Sequence, residues 1–387
     1  MPFPQKKALI FDLIPSECTD SERMHRAQEF ENLLRTLGGI QIHDRIFFSG
    51  LPDYQLFISP QTVENILRKY DFYQIDFLIL NNIVKPRQIF TLSEIFAPYA
   101  TQVWDRMDLI LKIFSLHAES AEAKLQVELA KIRHMGPRIY GMGTQLSRQG
   151  GGIGTSGIGE TNTEIMKRHL RAAEHRISQK LKQLEKTKDL QRGRRARQNF
   201  YTVSAVGYTN AGKSSVMKAL TRKQNVEIAN ALFTTLDTRI GKLFLPSVFK
   251  NVLVSDTIGF IADLPPELIA AFTSTLSETI HSDLLLHIVD ISDDEWERKI
   301  VIVDDIIKGL QIETKPQILV LNKIDRLPKY EDISECMNRY ADRTPVSVSA
   351  LQKTNFDLLK AKIAEVIYPR ETNVYKKRFA SLIMNNT

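Results

Sequence analysis

The sequence predicts an α/β protein in three parts. They are an amino-terminal βαβ domain over 1–107, an antiparallel helical hairpin over 108–198, and a domain with a mostly parallel sheet over 199–369, with a short polar tail at 370–387. Three observations carry this. Residues 7–105 alternate between short apolar runs and helical patterns, the signature of βαβ units. Two helical runs then flank a glycine-rich tip at about 141–159, which holds 8 of the 18 glycines in the chain. Beyond them, four apolar runs each deliver a short polar motif, as strands of a doubly wound sheet do at their carboxyl ends.

In the first part, strand-like Ala8-Leu9-Ile10-Phe11, Ile40-Gln41-Ile42-His43, Ile75-Asp76-Phe77-Leu78-Ile79-Leu80 and Thr101-Gln102-Val103-Trp104 alternate with helical patterns near 20–37, 60–70 and 86–97. No glycine-rich nucleotide fingerprint occurs among them. From Asp108 to Met135 the pattern is helical, with Leu125, Leu129 and Ile132 on one face. A second helix is expected from Asn162 into Thr187, where Leu170, Ile177, Leu181 and Leu184 recur at helical spacing. Two such helices close in sequence should pair as an antiparallel hairpin. The tip between them is too poor in side chains to bury a core. It reads either as a flexible linker or as a loop that must approach something closely, such as folded RNA. Arg192-Gly193-Arg194-Arg195-Ala196-Arg197 reads as the junction to the third part.

That part opens with Tyr201-Thr202-Val203-Ser204-Ala205-Val206, followed by Gly207-Tyr208-Thr209-Asn210-Ala211-Gly212-Lys213-Ser214, which spells G-x-x-x-x-G-K-S between a strand and a helix. In that context the backbone N–H groups and the helix N-terminus cradle a phosphate. Lys213 is expected to reach the β- and γ-phosphates, and Ser214 to give its hydroxyl to Mg²⁺. Asn251-Val252-Leu253-Val254-Ser255 delivers Asp256-Thr257-Ile258-Gly259. An Asp there can hold Mg²⁺ through water, and a Gly three residues on can bring its N–H to a γ-phosphate. Gln317-Ile318-Leu319-Val320-Leu321 delivers Asn322-Lys323-Ile324-Asp325. A carboxylate at Asp325 can accept from both N1–H and the 2-amino group of guanine, which adenine cannot offer. Pro345-Val346-Ser347-Val348 ends in Ser349-Ala350, whose backbone could meet the guanine O6.

Between the loop and Asp256 a threonine is needed to close over the γ-phosphate, and 231–237 is the segment that offers one. Thr235 is the expected Mg²⁺ ligand, Thr234 the register alternative, and entry into a strand the competing reading. The motifs together predict a P-loop GTPase domain. GTP is expected to touch Gly207, Tyr208, Thr209, Asn210, Ala211, Gly212, Lys213, Ser214, Ser215, Asp256, Thr257, Ile258, Gly259, Asn322, Lys323, Asp325, Ser349 and Ala350. Lys213, Thr235 and Gly259 are the candidates for the chemistry, and Ser214, Thr235 and Asp256 for the metal.

The chain has 387 residues and 43% hydrophobic content, enough for two or three domains. Two cysteines, Cys18 and Cys336, provide neither a disulfide framework nor metal-ligand spacing. No run of 18 or more apolar residues exists, and the start resembles neither a signal nor a transit peptide. A cytoplasmic protein without integral membrane association is expected. Charge is distributed unevenly: Lys167 to Arg197 holds 12 Lys or Arg against 3 Asp or Glu, a balance of +9, so against the chain's +7 the remaining residues carry −2. Such a stripe is either a solvated helix face or a footprint for a phosphate backbone. Arg192, Arg194, Arg195 and Arg197 are the candidate RNA contacts. The stripe lacks the Trp and Phe that a membrane-interface helix would bury.

The residues resemble the HflX family of ribosome-associated P-loop GTPases. The likeness rests on Val206 to Ser214, Phe233 to Asp237, Asp256-Thr257-Ile258-Gly259-Phe260-Ile261 with Leu264-Pro265, Leu125 to Ala130, and the tip segments Gly150 to Gly154 and Gly157 to Thr161. The resemblance implies a GTPase that docks on the large ribosomal subunit and its RNA, puts its tip near the peptidyl-transferase centre, and helps split or rescue stalled ribosomes. A role in large-subunit assembly, or nucleotide-gated RNA binding with little turnover, are the other readings. Asn210 stands where several potassium-activated GTPases carry an asparagine, which implies K⁺ beside Mg²⁺. Phe260 occupies the place where Ras-like switches carry the glutamine that orients water, so slow intrinsic and ribosome-stimulated hydrolysis is implied. Two family features are not carried over. Asn162 to Arg168 replaces the pattern Gln-Leu-Glu-x-Asp-Arg-Arg, and Leu56-Phe57-Ile58-Ser59-Pro60 stands where Gly-x-Gly-Lys is usual.

Overall fold

The computed structural model describes residues 6–141, 162–221, 239–257, 259–262, 268, 272–327 and 331–372. The chain forms two compact units, residues 1–183 with 265–271, and residues 184–264 with 272–387.

In the first unit, parallel strands β1 (Lys6–Ile14), β2 (Ile40–Ser49), β3 (Phe77–Leu80) and β4 (Gln102–Trp104) lie in the order β2-β1-β3-β4. Ala8 to Phe11 of β1 and all of β3 are at most 1% exposed, so these central strands read as unbroken apolar runs. Helix α1 (Asp20–Leu37) starts with a capping box: Thr19 Oγ1 accepts from Glu22 N at 3.2 Å, and Glu22 Oε2 accepts from Thr19 N at 2.9 Å. Helices α2 (Pro60–Lys69) and α3 (Pro86–Phe96) each begin with proline, whose fixed φ suits a first turn. The carboxyl ends of β1 and β3 are filled by a polar network. Asp12 accepts from Asn81 Nδ2 at 2.7 Å and Arg26 Nη2 at 3.1 Å, and Asn81 Oδ1 accepts from Arg106 Nη1 at 2.6 Å.

The helical pattern expected from Asp108 to Met135 is broken into α4 (Arg106–His117) and α5 (Ala121–Gly141). Ala118 is extended, with φ −73° and ψ 103°, and Ser120 restarts the helix by accepting Ala123 N on its Oγ at 3.0 Å. A serine cap of this kind restarts the helix in a stretch, 117–124, where no large apolar residue falls. Helix α6 (Asn162–Arg197) runs 36 residues. It continues past Thr187, so the expected junction at Arg192–Arg197 is helical, since arginine and alanine favour helix enough to carry the single Gly193. Arg133 Nε donates to Glu174 Oε1 at 2.9 Å and joins α5 to α6. The glycine-rich tip beyond Gly141 lies outside the described residues.

In the second unit, β5 (Thr202–Gly207), β6 (Arg239–Leu245), β7 (Lys250–Asp256), β8 (Leu284–Asp290), β9 (Gln317–Asn322) and β10 (Val346–Ser347) form a sheet in the order β10-β9-β8-β5-β7-β6. Strand β6 pairs antiparallel with β7, and the other pairings are parallel. Alternate residues face opposite sides. Ile318 and Val320 join one core with Val203, Val254, Val216 of α7 (Lys213–Thr221) and Ile363 from the carboxyl-terminal helix Phe356–Ile367. Leu319 and Leu321 join the other with Val289, Ile300 and Ile333. A sheet wound on both faces opens a crevice at the carboxyl ends where strand order reverses, here at β5 between β7 and β8. The short helix α8 (Thr273–Ile280) follows the β7 segment.

Candidate functional site

The loop after β5 is shaped by two glycines that tolerate no side chain. Gly207 has φ +151°, and a Cβ there would sit 2.2 Å from the Ile288 carbonyl oxygen. Gly212 has φ +91°, and its Cβ would sit 2.3 Å from Asn322 Nδ2. Asn210 adopts the left-handed conformation at φ +63°, which asparagine accepts at lower cost than most residues. Lys213 opens α7 and is buried, donating to the carbonyls of Tyr208 at 2.8 Å and Gly207 at 3.2 Å. Burial lowers its pKa to about 8, against the opposing pull of Asp256. Ser215, half-buried, occupies the same first turn.

Ser214 Oγ donates to Asp256 Oδ2 at 2.7 Å. The pair brings a hydroxyl and a carboxylate together at the helix start and the end of β7, and oxygen donors of this type fit a hard divalent cation such as Mg²⁺. Thr257 Oγ1 donates to the Ala205 carbonyl at 2.5 Å, which fixes the chain as it leaves β7. Gly259 packs against Lys213: a Cβ there would lie 2.8 Å from its Nζ and 2.9 Å from Thr209 Cγ2. Phe260 forms a parallel bridge to the loop, its N–H donating to the Gly207 carbonyl at 3.1 Å and its carbonyl accepting from Thr209 N at 2.6 Å. Its ring is buried at 2% exposure. The Tyr208 hydroxyl accepts from Ala262 N at 2.8 Å. Ile258, Thr234 and Thr235 lie outside the described residues.

The base-reading motif converges on the same loop. Asn322 Nδ2 donates to the Ala211 carbonyl at 2.9 Å, and its Oδ1 accepts from Ala350 N at 3.1 Å. Asp325 Oδ1 accepts from the buried Ser349 hydroxyl at 2.5 Å, and Ser349 Oγ in turn accepts from Gln352 N at 3.0 Å. Lys323, left-handed at φ +67°, donates through Nζ to the Asn210 carbonyl at 2.8 Å.

Of the four arginines expected to face RNA, the structure ties two to the protein itself. Arg192 Nη1 donates to Ser277 Oγ at 2.8 Å, Arg192 pairs with Asp189, and Arg195 Nη1 donates to Glu278 Oε2 at 3.1 Å. Arg194 and Arg197 are exposed. Sequence reasoning missed the partners in α8 and also the strand β8, although Leu284 to Val289 is apolar apart from His287 and is ended by an acidic residue, much as β7 is.

A mostly parallel sheet that gathers G-x-x-x-x-G-K-S, D-x-x-G and N-K-x-D at one crevice defines a P-loop GTPase. Comparisons with known proteins agree. Residues 202–323 match a family model described as 50S ribosome-binding GTPase, 24–115 one described as GTP-binding GTPase N-terminal, and 117–195 one described as GTP-binding GTPase Middle Region. The GTPase HflX of Caldanaerobacter subterraneus subsp. tengcongensis is 40% identical over 318 residues, covering 82% of this chain and 71% of that protein. The GTPase HflX of Escherichia coli is 36% identical over 313 residues, covering 81% and 72%. The chain belongs to the HflX family of GTPases, enzymes that hydrolyse GTP. Among solved structures, the complex of SsGBP with GDP is similar in fold, with a TM-score of 0.52 and 23% identity over 95% of this chain and 99% of that one. No helix among the described residues is long and apolar enough to cross a membrane.

Proposed function

We propose that the chain binds GTP across the crevice, hydrolyses it, and docks on the large ribosomal subunit in the cytoplasm to split or rescue stalled ribosomes. The observation that carries the reading is the meeting of three motifs at the phosphate loop: Ser214 against Asp256, Gly259 against Lys213, and Asn322 against Ala211. Lys213 exchanges its loop carbonyls for β- and γ-phosphate oxygens, and the Gly259 N–H meets the γ-phosphate. Ser214, Asp256 and Thr235 hold Mg²⁺, which when bound neutralises charge on the transferred phosphoryl group. Asp325, already held by Ser349, accepts from guanine N1–H and the 2-amino group, while the Ala350 backbone meets O6. Asn210 is the candidate K⁺ ligand, and faster hydrolysis in K⁺ than in Na⁺ at one ionic strength tests it.

Docking on the ribosome is supported by the family description matched by 202–323 and by the basic stripe of α6. Sedimentation of ribosomes with the protein and GTP, or a non-hydrolysable analogue, tests the reading. Loss of 70S particles into subunits is the expected result. Binding to precursor particles alone moves the function to assembly, and ribosome binding without turnover makes the chain a nucleotide-gated RNA-binding protein.

A further inference from the structure

We propose that Asp290 is a positioning residue of the nucleotide site, holding Lys323 so that its ammonium ties the phosphate loop to the base-reading loop. The inference rests on the GTP site proposed above and adds a residue that none of its motifs contains. Asp290 ends β8, the strand between β5 and β9, in register with Asn322. Its two carboxylate oxygens have separate partners. Oδ1 accepts from Ser292 N at 3.1 Å and from Ser292 Oγ at 2.6 Å, which fixes the carboxylate plane. Oδ2 accepts from Lys323 Nζ at 2.5 Å. The same ammonium donates to the Asn210 carbonyl at 2.8 Å.

The side chains of Lys323 and Asp290 are 16% and 14% exposed. An ammonium so shielded needs a counter-charge, and a short charge-assisted bond to an oriented carboxylate is the effective kind. Both linked backbones are left-handed, Lys323 at φ +67° and Asn210 at φ +63°. Such conformations persist only where neighbouring contacts hold them. The Lys323 stem also passes Gly212, whose Cβ would lie 4.0 Å from Lys323 Cε. Remove the carboxylate and the ammonium swings to water, freeing the Asn210 carbonyl and loosening two of the loops that enclose a nucleotide. GDP and GTP then leave faster by the same factor, because the two loops enclose the parts that both nucleotides share. Base choice, which belongs to Asp325, stays as it was.

The test uses the full chain as Asp290→Ala, Asp290→Asn and Ser292→Ala, with stopped-flow release of fluorescent GDP and GTP analogues, steady-state hydrolysis and thermal unfolding. Loss of a hydrogen bond to a charged group predicts about ten- to a hundredfold faster release of both nucleotides in Asp290→Ala. KM rises with kcat held within about twofold, and Asp290→Asn and Ser292→Ala fall in between. A double-mutant cycle with Lys323→Met keeps the proposal testable where Asp290→Ala folds poorly. If Asp290 acts through Lys323, adding Asp290→Asn to Lys323→Met has no further effect on release. Unchanged release, a fall in kcat at constant KM, or additive effects in the cycle overturn the proposal. Asp325→Asn is run in parallel. If it leaves GTP affinity intact, the site reading itself has failed; if it behaves as expected while Asp290→Ala does nothing, only the role of Asp290 is wrong.

Discussion

Glu278 engages two arginines of one helix: its Oε2 accepts from Arg195 Nη1 at 3.1 Å, and its Oε1 lies 3.8 Å from Arg192 Nη1. The last turns of α6 are thereby fastened to α8, and the Glu278 side chain, 8% exposed, depends on them for its counter-charge. The four arginines should therefore divide by role. Arg194→Ala with Arg197→Ala is expected to lower the slope of log ribosome affinity against log salt by up to about one per residue, with little change in stability. Arg195→Ala is expected to cost about 1.5–3 kcal/mol of unfolding free energy. Salt titration of ribosome binding and denaturant unfolding check the two halves separately.

Asp325 presents one oxygen to Ser349 and keeps acceptor capacity for a base. Replacing it by asparagine turns an acceptor of two hydrogen bonds into a mixed donor and acceptor. GTP affinity should fall by about 1.5–3 kcal/mol, and xanthosine triphosphate should bind better than before. Titration of the purified variant with both nucleotides decides it.

His287, 1% exposed within β8, should make the protein sensitive to acid. Burial, reinforced by the charges of Arg343 and Lys213, lowers its pKa to about 3, and Arg343 Nη2 lies 3.2 Å from its Nδ1. The unfolded chain takes up a proton near the usual value of about 6.5 while the folded chain does not. This contribution to stability is therefore complete above pH 6.5 and shrinks as pH falls toward 3, by about 1.4 kcal/mol at pH 5.5. Urea midpoints at pH 7.5 and 5.5 should differ less in His287→Phe than in the parent chain.

Phe260 cannot hold the attacking water: its ring is buried and both its backbone groups are spent on Gly207 and Thr209. Basal hydrolysis should be on the order of 10⁻⁴–10⁻³ s⁻¹. Large ribosomal subunits should raise it at least tenfold, or about 1.4 kcal/mol of barrier. Lys213→Ala should abolish the stimulation, and Phe260→Gln should change the basal rate more than GTP affinity. A fast rate without ribosomes would falsify the idea that the missing group comes from outside.

Much of the fold was legible because its signals are local. β1, β3, β5, β7 and β9 are apolar runs, and the phosphate loop and the N-K-x-D tetrad carry their spacing in the chain. What was not legible depends on partners far away in sequence. Arg192 and Arg195 read as free positive charge until Ser277 and Glu278 are brought to them. The break between α4 and α5 turns on one serine cap inside a stretch that the sequence predicts as a single helix. Asp290 closes a strand without a recognised motif, and its use is set by Lys323 across the sheet.

The closeness of Gly212 and Asn322 constrains how this chain can change. Any side chain at 212 would strike the Asn322 amide, at 2.3 Å for a Cβ, and the obvious relief is a smaller residue at 322. Yet that amide is spoken for on both sides, giving a hydrogen to Ala211 and taking one from Ala350. A serine at 322 would make the room and lose the bridge, so each substitution is harmful alone and the pair does not rescue itself. Two neighbours coupled in this way behave non-additively, and single-step mutation offers no passable route away from either residue.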